Sequence, residues 1–384
     1  MLLRGRLFRL GRGSRMSGEN NNKKGKNTLL FSVGPHQLYM QYILAKQLNI
    51  EKDILGVLRT DAPADGEKTD VNLMKVELFI QKKLKIQDST KFESIYKIWG
   101  NSKIEKLISI PRLKTKLIEK LPSWINIDDI ENVILTARYD LGEIILLSVF
   151  KNLNNVYFIS DGNPYLYSKK CKYRIPFYLK LIGVKNPYLN NPAIYFSKNN
   201  LPDKFINIQP KQLDEDIYNL VVRNFEEDLM LKSWLKRQFG LVFLKKRSII
   251  FLPPLERYPD LNSNIELYKK IIHSELSKVE NNILLKHHPR EKANILGVFK
   301  REILNEFGSG VFFYDDKHFL SRLPVELYWN LLNIDRVINT FSTSALFATG
   351  VKIVFYSSNR LLSKYVKTIE YLAGSFGEKV VYLN

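Results

Sequence analysis

Short β-favouring runs that hand over directly to helical patterns recur along this chain, and that alternation leaves it few folds. Thr28 to Val33 is one such run. Gly34-Pro35-His36-Gln37 then turns into a helical pattern reaching Leu48, and Asp53 to Arg59 reads as the next strand. Lys103 to Ile110, Asn132 to Ala137 and Asn155 to Ser160 read as further strands, with Leu141 to Lys151 a buried helix. The pattern predicts βα units stacked on parallel sheets. A polar, irregular stretch from Tyr188 to Gln212 leads into one amphipathic helix from Asp214 to about Arg237, after which a second series begins. Its strands are read at Ser248 to Leu252, Asn282 to Lys286, Gly310 to Tyr314, Arg336 to Asn339 and Lys352 to Tyr356. Its helices are read at Ile265 to Val279, after Pro324, after Ser342 and from Leu361 to Leu372. A length of 384 residues suits two such domains. The expected division is a disordered basic arm over 1–27, an α/β domain over 28–237 and a second over 238–384. A cleft between two α/β domains is a common place for a nucleotide.

A hydrophobic content of 45% excludes wholesale disorder and fibrous classes. Lys and Arg number 59 against 39 Asp and Glu, and the net charge of +20 favours anionic partners without choosing among them. The first 27 residues concentrate eight cations (Arg4, Arg6, Arg9, Arg12, Arg15, Lys23, Lys24 and Lys26) against Glu19, a balance of +7. This arm is read as a contact for an anionic membrane surface or as upstream sequence ahead of a start at Met16, with organelle targeting the weaker alternative. Cys171 is the one cysteine, so an intramolecular disulfide framework and a CxxC metal or redox site are excluded. Apolar runs such as Ile144 to Phe150 are far shorter than the roughly 20 residues that cross a bilayer.

The chain carries no GxxxxGK[ST], GxGxxG or HExxH, which argues against P-loop hydrolysis, a standard dinucleotide site and a zincin protease. Asp214-Glu215-Asp216 matches a DxD string, but it opens a helix, where acids suit the helix dipole. His287 and His288 follow a predicted strand, between Lys286 and Pro289-Arg290. An imidazole there can donate to a phosphate or protonate a departing one. Adjacent side chains diverge, so one of the pair is expected to act and the other to be structural, with His288 favoured beside the proline. Asn339-Thr340-Phe341-Ser342-Thr343-Ser344 puts hydroxyls and free backbone N–H groups at a helix start, a phosphate or carboxylate cradle. Pro324-Val325-Glu326 opens another helix, with Glu326 either accepting from a ribose or base or serving as a first-turn acid.

As a set, Asp161-Gly162, His288-Pro289, Pro324-Val325-Glu326 and Ser342-Thr343-Ser344 resemble, in order and spacing, the motifs of the bacterial sialyltransferases. The nearest resemblance is to the lipooligosaccharide sialyltransferase family, kin to the bacterial polysialyltransferases. Gly34-Pro35-His36-Gln37-Leu38 and the segment from Leu181 to Asn191 add to it. The resemblance spans most of 28–384, although each motif is only two or three residues long.

The resemblance implies a GT-B-like fold, two Rossmann-like α/β domains facing a central cleft. It also implies an inverting, metal-independent transfer of sialic acid from CMP-sialic acid to a terminal sugar hydroxyl, galactose first, of a lipooligosaccharide or capsule glycan. No cofactor is then expected beyond the CMP-sugar donor. His288 would stabilise or protonate the leaving phosphate, and Ser342 and Thr343, with His287, Pro289 and Ser344, would hold the donor. Glu326 would contact the cytidine ribose. Gly34, Gln37 and Gly162 would lie on the acceptor side, with the acidic motif as base. One departure is Ser160-Asp161-Gly162, a single carboxylate where the family carries two acidic residues. Serine is no general base at neutral pH, which leaves Asp161 for that step. A transferase for another CMP-linked or nucleotide-linked sugar is the alternative enzyme. A non-enzymatic nucleic-acid-binding protein is the alternative from a different class, against which stands the lack of any RRM, KH or zinc-finger signature. The expected setting is cytoplasmic, with a peripheral contact on an anionic inner membrane where a glycolipid acceptor is made.

Overall fold

The computed structural model describes residues 28–32, 34–50, 54–59, 71–86, 89–91, 125–136, 146–160, 193–196, 209–240, 246–253, 260–277, 282–288, 291–314, 317–340, 351–358 and 377–383. Isolated positions within 114–121, at 255 and within 366–374 complete the description. The basic arm over 1–27, the strand expected at 103–110, the first part (141–145) of the helix expected over 141–151, the start of the helix expected after Ser342 and most of the helix expected over 361–372 lie outside it.

The first sheet is built from β1 (Thr28–Ser32), β2 (Ile54–Arg59), β3 (Ser89–Lys91), β4 (Asn132–Thr136), β5 (Asn155–Ile159), β6 (Ala193–Phe196) and β7 (Gln209–Gln212). Its order is β3-β2-β1-β4-β5-β6-β7, and every pairing is parallel. The second holds β8 (Arg247–Phe251), β9 (Asn282–Lys286), β10 (Val311–Phe313), β11 (Ile334–Asn339), β12 (Lys352–Ser358) and β13 (Val380–Leu383), ordered β10-β9-β8-β11-β12-β13 and again wholly parallel. Counted from its own first strand, each sheet runs 3-2-1-4-5-6, with a seventh strand added at the edge of the first, and this is the Rossmann order, in which the strand sequence reverses direction between the first and fourth strands. The chain is therefore two Rossmann-like α/β units in tandem, a GT-B-like architecture. Parallel strands covered on both faces read as unbroken apolar runs, and β1 and β8 are buried along their whole length.

Among the described residues the helices are α1 (Pro35–Gln47), α2 (Val71–Leu84), α3 (Glu215–Glu226), α4 (Leu229–Phe239), α5 (Leu261–Leu276) and α6 (Ala293–Phe307), with 3₁₀ segments at Gly308–Gly310, Phe319–Arg322 and Val325–Leu332. Three expectations are corrected here. The stretch from Tyr188 to Gln212 contains β6 and β7 rather than irregular chain alone. The single helix over Asp214 to Arg237 is two helices, because Asp228 leaves the first and caps the second, accepting from Leu231 N at 2.8 Å. Lys83 of α2 pairs with the same carboxylate. The helix expected after Pro324 is 3₁₀, with a non-helical break at Tyr328. The acids of the DxD string do cap and charge a helix start: Asp214 accepts from Ile217 N at 2.9 Å, and Glu215 and Asp216 lie in the first turn of α3.

Helices α3 and α4 join the two sheets. Phe225 of α3 meets Phe79 of α2, ring centroids 5.9 Å apart, and Phe79 meets Phe319 at 6.1 Å. Trp234 of α4 stacks on His318 at 5.5 Å and lies 5.9 Å from Tyr314, which Phe239 also touches edge-on at 5.3 Å. One apolar cluster thus runs from Leu38, Ile43 and Val76 through Phe225 and Trp234 to Leu323 and Leu327. Gln47 anchors the start of α3: its amide N–H donates to Gln212 O at 3.2 Å while its carbonyl accepts from Asp214 N at 3.1 Å.

Candidate functional site

In open parallel sheets, ligands bind beyond the carboxyl ends of the strands, at the point where strand order reverses. In the second sheet that point lies between β8 and β11, with β9 alongside. Lys286, the last residue of β9, is buried, donates to the Ser321 carbonyl and lies 4.6 Å from the centre of the Tyr314 ring. Burial, followed by the Arg322 guanidinium, lowers its pKa to about 7, while Glu326 pulls the other way. His287 is 1% exposed, and among the described residues neither ring nitrogen has a hydrogen-bond partner. Burial first, then the nearby Lys286, Arg322, Lys300 and His288, hold its pKa far below the usual histidine value, so the ring is neutral. A buried imidazole with both nitrogens unpaired costs free energy that a bound acceptor atom would recover.

His288 is half-buried. Its backbone carbonyl accepts from Arg322 Nη1 at 3.3 Å and from Glu291 N at 3.0 Å. The buried Glu291 carboxylate in turn accepts from Leu255 N at 2.7 Å, tying the loop after β9 to the loop after β8. Thr340, the residue after β11, is fully buried and its hydroxyl sits 2.9 Å from the Tyr268 hydroxyl of α5. The chain therefore leaves β11 from a fixed point just before Ser342-Thr343-Ser344. Those three residues, with Pro289, lie outside the described residues, as do Asp161 and Gly162 beyond β5.

Glu326 is 5% exposed in the 3₁₀ segment after Pro324, so it is enclosed by protein rather than open along its length. Its charge reaches Lys286 and Tyr314 on its own side and Tyr39 of α1 and Tyr218 of α3 across from it. Tyr39, one turn into α1, and Lys286, at the end of β9, thus lie around one carboxylate, and the carboxyl ends of the two sheets approach each other there.

On the first sheet, the chain leaves β1 through a turn that Ser32 closes: its hydroxyl donates to Gly34 O at 3.0 Å and accepts from Gly34 N at 3.3 Å. Gly34 is buried and Gln37 partly exposed at the first turn of α1, whose Leu38 N donates to Gly34 O at 3.1 Å. A Cβ on Gly34 would come within 3.3 Å of Gln37 Oε1, which binds the two positions into one small feature. His36, between them, sits with Nδ1 3.1 Å from the Tyr39 hydroxyl and its ring edge-on to that of Tyr39. Burial lowers its pKa to about 4, so it is neutral at physiological pH. Ser160, at the end of β5, is 5% exposed, and its N–H is spent on Tyr195 O at 2.8 Å.

Sequence reasoning brought out the strand-end histidines and Glu326, and the structure brings them to one end of one sheet. It missed His36, Tyr39, Tyr218, Lys300 and Arg322. His36 lay within the Gly34 to Gln37 turn and was open to notice. The other four are assembled by packing between distant segments and leave no local pattern. Among the described residues no cluster of three or more His, Cys, Asp or Glu could hold a metal ion. No described helix is long and apolar enough to cross a membrane.

No family model matches the chain, and no curated protein matches it. Among solved structures it is similar to a UDP-GlcNAc 2-epimerase of Methanocaldococcus jannaschii in complex with UDP-GlcNAc and UDP, at 12% identity and a TM-score of 0.49, over 93% of this chain and 88% of the other. A second structure of that epimerase is similar at 11% identity and a TM-score of 0.48, with the same coverage.

Proposed function

We propose that the chain is an inverting, metal-independent glycosyltransferase that moves sialic acid from CMP-sialic acid to a terminal hydroxyl, galactose first, of a surface glycan or glycolipid. The reading is supported by one coincidence. Of the motifs that resemble those of the bacterial sialyltransferases, His287 and His288 directly follow β9 at the carboxyl end of the second sheet, and β11, beside the strand reversal, ends just before Thr340, two residues ahead of Ser342 in the chain. Cations converge there on a neutral His287 whose nitrogens have no hydrogen-bond partner among the described residues, which suits an anionic donor. In this reading His288 stabilises or protonates the leaving phosphate, and Ser342, Thr343 and Ser344 hold it. His287, Pro289 and Glu326 shape the nucleotide pocket, while Gly34, Gln37, Asp161 and Gly162 face the acceptor.

Calorimetry with CMP on wild type and His288→Ala tests the donor half. Binding that weakens about tenfold or more in the variant supports it, and absence of binding in both removes the reading. Purified protein given CMP-sialic acid with a panel of galactosides is then expected to release CMP. Displacement of CMP by other nucleotide sugars separates this donor from a different one.

A further inference from the structure

Helices α2 and α4 each turn a side to solvent on which aliphatic and cationic residues mix. On α2, Val71, Lys75, Leu78 and Lys82 recur at intervals of three and four residues and so share one side. All four are exposed, Leu78 at 53%, and Lys85 is exposed just past the helix end. The one carboxylate of this helix, Glu77, is buried. On α4, Leu229 and Met230 open the helix, 78% and 44% exposed, and Lys232, Lys236 and Arg237 continue its open side. That helix contains no acid; Glu227, at the end of α3, is the exposed acid that precedes it. The two sides adjoin. Lys83 of α2 pairs with Asp228, the cap of α4, so Lys82 and Lys85 on one helix and Leu229 and Met230 on the other flank a single contact. Packing holds α2 in place: Phe79 meets Phe225 and Phe319, and Asn72 Nδ2 donates to Lys317 O at 3.3 Å.

We propose that the joined face of α2 and α4 docks on an anionic lipid surface. Aliphatic side chains left in water lose free energy that the acyl edge of a bilayer returns. The lysines among them lay their stems along that edge and set their ammonium groups at the level of the phosphates. Charge alone would suit nucleic acid equally. Stacking on bases needs aromatic side chains, however, and the exposed large apolar residues of this face are all aliphatic. Against a phosphate backbone Leu78, Leu229 and Met230 would gain nothing. The proposal stands apart from the transferase reading, because docking requires no sugar substrate. It also differs from a contact made by the basic arm. Attraction between exposed charges is screened away by salt, whereas a face that buries aliphatic side chains keeps a part of its affinity that salt does not remove.

The test is co-sedimentation of the full chain with vesicles of phosphatidylcholine alone and of phosphatidylcholine with about one third phosphatidylglycerol, at low and at high salt. Wild type is expected on the anionic vesicles, with a fraction that persists at high salt. A triple variant, Lys75→Gln with Lys82→Gln and Lys85→Gln, should bind about 100-fold more weakly at low salt, from roughly fivefold per cation at a membrane surface. A second, Leu78→Ser with Leu229→Ser and Met230→Ser, should lose the salt-resistant fraction and about tenfold or more in affinity. Every substituted side chain is exposed, so thermal unfolding of both should match wild type. A control, Lys270→Gln with Lys352→Gln and Lys379→Gln, removes the same charge from exposed lysines of the second half and should stay within about threefold of wild type. Wild type that ignores anionic vesicles overturns the proposal, and so do face variants that bind as wild type does. A control that loses as much as the lysine face variant overturns it too, because binding would then follow net charge alone. Tighter binding of wild type to a DNA oligonucleotide than to the vesicles, lost in the lysine face variant, makes nucleic acid the occupant and overturns it as well.

Discussion

Tyr39 and Glu326 lie about 290 residues apart in the chain, yet the charge of one is felt at the phenol of the other: burial first, then the Glu326 carboxylate, hold Tyr39 well above the usual tyrosine value. Glu326 also provides the negative charge that partly offsets the burial of Lys286. Glu326→Gln is expected to destabilise the fold by about 1–3 kcal/mol near pH 6, where Lys286 is charged and loses that offset. The cost should shrink toward pH 9, where Lys286 is neutral and a buried carboxylate is itself unfavourable. Urea unfolding at the two pH values gives the comparison, and a cost that grows with pH would refute the account.

Lys286 makes its own prediction about pH. Its folded value of about 7 lies below the ordinary lysine value of 10.5. Between the two, the unfolded chain holds a proton that the folded chain has released. Stability therefore rises with pH through that window, by up to about 1.4 kcal/mol per unit from this group, and levels off above it. Other groups titrate in the same range, so the quantity to follow is the stability difference between wild type and Lys286→Met. That difference should shift in favour of wild type as pH climbs from about 7 to about 10; a flat difference would show that Lys286 is not perturbed.

Trp234 touches Tyr314 and His318 from α4 and is 3% exposed. Trp234→Ala is expected to cost about 3–5 kcal/mol, the range for emptying a large buried aromatic site. Thermal unfolding should still be a single transition, because the apolar cluster continues on both sides of the lost ring. Two resolved transitions in the variant would show that this ring alone couples the halves.

Deletion of residues 1–27, which removes a balance of +7, is expected to weaken salt-sensitive binding to anionic vesicles while leaving turnover with a soluble acceptor near the wild-type rate. Co-sedimentation over a salt series is the measurement. Lost turnover would mean that the arm belongs to the active unit.

The strands at 28–32, 132–136, 155–159, 247–251 and 282–286 are legible in the sequence because buried parallel strands are continuous apolar runs. Gln209-Pro210-Lys211-Gln212 has no such run, and it is β7, at the edge of its sheet. An edge strand has one neighbour, so it tolerates proline and polar side chains that would exclude it from the centre. The break between α3 and α4 was signalled by Asp228 ahead of Leu229, an N-cap inside an amphipathic pattern, but the pattern continues across it and conceals the stop. At the site, the same logic divides what could be read. His287 and His288 lie next to each other after a strand and declare themselves. Arg322, Lys300 and Tyr39 reach their positions only when separate βα units pack, and no spacing records that.

The apolar cluster that passes from α1 through α3 and α4 to the 3₁₀ segments has a practical meaning for anyone dissecting the protein. Cutting the chain near residue 240 would leave Trp234, Leu235 and Phe239 on one fragment and Tyr314, Leu323 and Leu327 on the other, each stripped of the surface that covers it. Such fragments would be recovered as aggregates, and only their co-expression in one cell would return soluble material.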